Sequence, residues 1–240
     1  MGFLDFFGRK DSAGNLAKHA KRAADKKAQN PDRWASLEAL GKMHTPEAVY
    51  ALLQRFTIRV TPSITDQDEK ELAKQGVLGS GEVAVAPLKK FLNETDSIAW
   101  PVRMLSELVD EEELVGTLVE FLGEMTTEYE RDPQRKIDAI AQLEERKDER
   151  IAPAVIRFLA DVNEAARFHA AATLLVQENA EVGREAALKV LGDEESVRVR
   201  VSILDGFIHQ GWGLGENAKE YAPHLPSGYS LDGDSIKKTR

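Results

Sequence analysis

The chain contains no cysteine. Neither a disulfide framework nor a thiolate metal site can form from it, and no cysteine nucleophile is available. It has no apolar run approaching the roughly 18–20 residues a membrane-spanning helix needs. The glycine patterns that cradle phosphates, GxGxxG at a helix start and GxxxxGK followed by Ser or Thr, are missing. Gly211, Trp212, Gly213 and Gly215 imitate such a run without a preceding strand. The GxSxG nucleophile elbow is missing too. Residues 1–7 are too short for a secretory apolar region and carry Asp5. Gly2 does not make a myristoylation signal, because Phe6 stands where Ser or Thr is required. These absences predict a cytoplasmic protein.

Histidine is also scarce, and the five present (His19, His44, His169, His209 and His224) form no HxxxH pair and are never followed by Glu. His169, beside Phe168 in an Ala-rich stretch, reads as a structural histidine. The acidic runs at 110–113 and 193–195 fall where helices begin, and complementing the helix dipole explains them. Glu124, Glu128, Glu130 and Asp132 lack the glycine and the ordered alternation of a calcium loop. The expectation is no catalytic residue, no metal site and no cofactor.

The net charge of −9 is unevenly spread. Residues 1–30 carry seven Lys/Arg against three Asp/Glu, a surplus of +4, which leaves −13 on the remainder. A body this acidic repels phosphate backbones, so nucleic acid is not an expected partner. The basic start, 1–29, combines an aromatic tip with a helix weak in large apolar residues. Phe3, Phe6 and Phe7 beside Arg9 and Lys10 suit peripheral docking on a membrane surface or on a partner.

What the sequence does have is self-similarity. AARFHAAATLL from Ala165 and SVRVRVSILDGF from Ser196 align when Arg167 is set on Arg198, an offset of 31. Basic residues recur near the start of successive predicted helices at Arg33, Lys70, Arg103, Lys136, Arg167 and Arg198, with separations of 37, 33, 33, 31 and 31. A period of about 30–40 residues marks stacked helical hairpins. Asn30-Pro31 and Thr45-Pro46 read as helix starts, Asn or Thr capping and Pro occupying the first turn. Residues 57–65 read as an extended crossing, Asp66 and Glu69 as a capping box, and residues 213–240 as an irregular tail. The prediction is an all-α fold: an α-solenoid of about five to six antiparallel hairpins over residues 30–212, curved, right-handed and monomeric.

The stretches EAARFHAAATLL and ESVRVRVSILDGF resemble the HEAT-like repeats named after phycobilisome lyases, well over residues 133–212 and more loosely back to residue 31. The whole chain is similar to bacterial HEAT-repeat proteins. The resemblance implies an α-solenoid with a binding surface, and no reaction. It further implies that second helices line a groove, placing Tyr50, Gln54, Lys89, Lys90, Glu113, Thr117, Arg157 and Arg184 on or near it. Arg103, Arg167 and Arg198 are expected to form a structural ladder, bonding acidic or carbonyl groups of neighbouring repeats. Function is then expected to be non-enzymatic protein–protein interaction as a scaffold or adaptor. The alternatives are bilin-lyase-like chromophore attachment, suggested by the repeat type, and membrane-peripheral docking through residues 1–28.

Overall fold

The computed structural model describes the backbone of residues 4–177 and 180–239 and the side chains of residues 14–177 and 182–239. The chain divides into two compact units, Met1–Leu114 and Val115–Arg240. Phe3 lies outside the described residues, and Phe6, Phe7, Arg9 and Lys10 lie outside the described side chains.

In the first unit α1 (Leu4–Ala23) packs along α2 (Asn30–Gly41), with Ala23 buried and His19 Nδ1 3.2 Å from the Ser36 hydroxyl. There follow α3 (Pro46–Leu53), α4 (Ser63–Leu78), α5 (Val85–Glu94) and α6 (Ala99–Leu108). First helices pack on first helices, α2 on α4 and α4 on α6, while α3 packs on α5. Each hairpin thus closes its neighbour's apolar face: Leu37 and Leu40 of α2, Leu52 and Leu53 of α3, and Leu88 and Phe91 of α5 are at most 1% exposed. Gly41, the last residue of α2, packs closely against α4. A Cβ on Gly76 would lie 3.1 Å from the Gly41 Cα, so this glycine pair lets α2 and α4 touch backbone to backbone.

The second unit holds most of α7 (Glu111–Gly123), then α8 (Gln134–Glu144), α9 (Ile151–Val155) with a 3-10 turn to Ala160, α10 (Glu164–Val176), α11 (Ala180–Leu191) and α12 (Val197–Gln210). Here α10 lies between α8 and α12. Its alanines allow this, because Ala166, Ala170 and Ala171 are fully buried and hold neighbouring helices close. Asn163 caps α10 through the Ala165 N–H at 2.9 Å, and Ser196 caps α12. Gly211, at φ 69°, ends α12 in the left-handed conformation that suits glycine. The all-α class of HEAT-like helical hairpins read from the sequence stands.

Four local expectations differ from the structure. Asn30 is not the cap: Gln29 takes that position, and the Asn30 amide donates to Glu69 at 2.7 Å. Residues 57–65 are not one extended crossing, since a 3-10 turn ends at Thr57 and α4 already begins at Ser63. Asp66 and Glu69 therefore sit inside α4 and do not form a capping box. The tail is also more ordered than expected. After α13 (Ala218–Tyr221), β1 (Tyr229–Asp232) and β2 (Ser235–Lys238) pair antiparallel, with Tyr229 opposite Lys238 and Ile236 buried.

Asp66 and Glu69 form a buried ionic cluster. Arg55, fully buried, donates from Nε to Glu69 at 2.8 Å and from an Nη to Asp66 at 2.8 Å. Arg33 forks onto the two Glu69 oxygens at 2.9 Å each, and Lys70 reaches Asp66 at 2.6 Å. Arg33 also donates to the Ala28 carbonyl, and Val60 N–H donates to Asp66 at 3.0 Å. Burial pushes the Asp66 carboxyl up, but Lys70, Arg55 and Val60 outweigh it and bring its pKa down to about 2. Glu69 is likewise held low: burial opposes, while Arg33, Asn30 and Arg55 prevail.

Removing Glu69 leaves the buried Arg33 guanidinium without its carboxylate and Arg55 with Asp66 alone. Glu69→Ala is expected to destabilise the first unit by about 3–5 kcal/mol, measured by urea unfolding of a Trp212→Phe protein in which Trp34 and Trp100 report. Both carboxylates have depressed pKa values, so their contribution is complete above the unfolded carboxylate range and is lost as pH falls through the folded values. The urea midpoint of that protein should hold from pH 7 to about 5 and decline from about 4 towards 2, with Asp66 accounting for about 2 kcal/mol. Asp66→Asn should flatten the decline.

Candidate binding surfaces

The residues expected to line a groove do not all reach one. Tyr50, Gln54 and Lys90 come together in the first unit. A recess of about 390 Å³ is lined by Pro46, Glu47 and Tyr50 from α3 and by Ala86, Pro87 and Lys90 from α5. Thr45 sets the α3 side by capping the helix through the Ala48 N–H, with Pro46 in the first turn. Val49, Leu52, Leu88 and Phe91 face inward, which turns Tyr50 and Lys90 outward. The Tyr50 hydroxyl donates to Glu94, and the Lys90 ammonium lies 4.5 Å from the centre of the Tyr50 ring. The hydrogen bond to Glu94, then burial, then the Glu94 charge raise the Tyr50 pKa above its ordinary 10, with Gln54 partly opposing. Lys89 pairs instead with Glu113 at 2.8 Å.

The other candidates are placed differently. Thr117 is buried, 6% exposed, because its helix position faces the core. Arg157 donates to the Leu122 carbonyl and lies over the Phe158 ring at 4.7 Å. Arg184 donates to the Gly213 carbonyl at 2.7 Å and so fastens the segment that follows α12. Neither arginine keeps its guanidinium clear for a partner.

The expected ladder is rearranged. Arg167 forks onto Glu194 at 2.8 and 2.9 Å and also donates to the Asp161 carbonyl at 2.9 Å. Arg198 stands 3.7 Å from Glu164 and lies 3.8 Å from the Phe168 ring centre. Arg103 is exposed, its guanidinium 5.9 Å from the Trp100 ring. The link from α4 to α6 is made one turn further on, by Lys74 and Glu107 at 2.7 Å. In the second unit the fully buried Lys136 ammonium reaches Asp161 at 2.8 Å and the Thr126 carbonyl at 2.9 Å.

A second recess, about 480 Å³, opens beside this ladder and is lined by Asp161, Arg167, Lys189, Asp193, Glu194 and Glu195 among others. Its arginine is committed to Glu194, so we read it as a gap in the packing of charged side chains. Among the described residues no group of His, Asp and Glu is arranged to hold a metal ion, and no helix is long and apolar enough to cross a membrane.

The α3 side of the recess lies in the stretch that a family comparison singles out. Residues 32–56 match the PBS lyase HEAT-like repeat. The match spans α2, α3 and the start of the following turn, and it supports a protein built of HEAT-like repeats. It falls on the first hairpin, whereas the strongest self-similarity lies in residues 161–211. No curated protein matches the chain.

Some residues of interest escaped the sequence reading. Tyr129 is 82% exposed, and Val162, whose N–H donates to the Thr127 carbonyl at 3.1 Å, is 55% exposed. A lone aromatic inside the polar connection after α7 was the available signal. The partnership of Arg33, Arg55 and Glu69 left none, because their contacts span 14 and 36 positions.

The Tyr50–Glu94 bond can be checked directly. In ring-labelled protein, NMR titration should show the Tyr50 phenol ionising above pH 10, and Glu94→Gln should bring it down towards 10. An unchanged titration in that variant would show that the bond does not form in solution.

Proposed function

We propose that this protein is a non-enzymatic interaction scaffold that holds a partner protein against the α3/α5 surface. The observation that carries the reading is the contrast between a core sealed by apolar packing and ionic links and a recess where an aromatic ring, Pro46 and an ammonium face outward above the buried Pro87. Helical hairpins of this kind offer extended binding surfaces and no reaction of their own. The acidic body favours a protein partner over nucleic acid, since counterion release needs a dense basic surface.

Site-specific photo-crosslinking in the native host tests this. A photoreactive residue replacing Ala86 should give a discrete covalent adduct with one partner, while the same residue replacing Glu71 on α4 should not. Identical adduct patterns at both positions, or none at Ala86, would reject the surface.

The description of the matched repeat favours one further reading, assistance in bilin attachment to an acceptor protein. Co-expression with bilin and an acceptor should then raise the yield of covalently coloured acceptor. An unchanged yield rejects it.

A further inference from the structure

The α3/α5 recess has a chemical polarity that specifies its occupant more closely. Its walls include Pro46 and Pro87, which have no N–H to donate, and Ala86, which is small. Its aromatic face is the Tyr50 ring. The two prolines, Ala86 and the Tyr50 ring offer apolar contact, and the polar groups of the recess belong to Glu47, Lys90 and the Tyr50 hydroxyl at its margins. That suits an extended segment whose own backbone stays solvated, as in proline-rich chains docked on aromatic surfaces.

One end of the recess is cationic. The Lys90 side chain is 63% exposed, and its ammonium stands 4.0 Å from Glu94, at the outer limit of an ion pair. The Glu94 carboxylate already accepts from Tyr50. Lys90, with three donors, meets the other Glu94 oxygen only at that limit and lies over the ring. Glu47, at the α3 side, would repel a second acid. The charges run from Glu47 to Lys90, which gives a bound segment a direction.

We infer that the recess binds an extended acidic–apolar segment of a partner protein, with prolines or aliphatic side chains against Tyr50, Pro46 and Pro87 and one carboxylate on Lys90. This rests on the scaffold reading above and adds the chemistry of the partner.

Fluorescence anisotropy with the full chain tests it, using a labelled peptide of repeated Pro-Leu-Asp. Two comparison peptides replace Asp by Lys, or Pro-Leu by Gly-Ser. The Pro-Leu-Asp peptide should bind saturably and the others much more weakly. Lys90→Glu should weaken it about tenfold, the change expected for roughly 1.4 kcal/mol, and should shift preference to the lysine peptide. Lys147→Glu, an exposed charge change of equal size in the second unit, should leave binding unaltered. Helicity of both variants should match the parent. Equal weakening by Lys90→Glu and Lys147→Glu, equal binding of all peptides, or no binding at all would overturn the inference. If an adduct still forms at Ala86 after such a result, the scaffold reading survives and only the proposed chemistry falls.

Discussion

Glu69 is gripped from two sides, by Arg33 of α2 and by Arg55 after α3, with almost no contact with water. A buried carboxylate is costly unless its partners replace the lost hydration, and here the guanidiniums and Asn30 do so. The geometry leaves little freedom. Arg55 must follow α3 at the depth of α4, and α2 must run alongside, or one of the charges loses its partner. Apolar packing supplies most of the driving force of this unit, while the ionic grip selects one register of its helices.

The second unit solves the same problem with other residues. Lys136 is buried against Asp161 and the carbonyls of the loop before α8, and Arg167 is held by Glu194 at the start of α12. In both units a cation near the start of one helix meets an acid belonging to the next hairpin. These links sit where first helices stack on first helices. The outward surface of α3 and α5 carries a different set of side chains, and there Tyr50 and Lys90 remain in contact with solvent. The proposed binding role rests on this division between a sealed stacking face and an open recess.

Much of the local structure was readable along the chain. Thr45-Pro46 acts on its nearest neighbours, so its signal works at short range. Asp66 and Glu69 show where that reasoning fails. Their spacing matches a capping box, yet the helix had begun earlier, and their true partners lie on other elements. Arg103 fails for a related reason. It keeps the period of the repeat, but the ionic link of its helix passes through Glu107, one turn away.

The amino-acid order alone determined the helical class, the repeat of hairpins and the exclusion of thiol chemistry, because each follows from periodicity or composition read directly along the chain. Which charges meet, which candidate residues are buried, and that Tyr50, Lys90 and two prolines share one recess were decided only by tertiary structure. Those relations join residues tens of positions apart, and only helix packing, a balance of burial, desolvation and close backbone approach, brings them within a few ångströms.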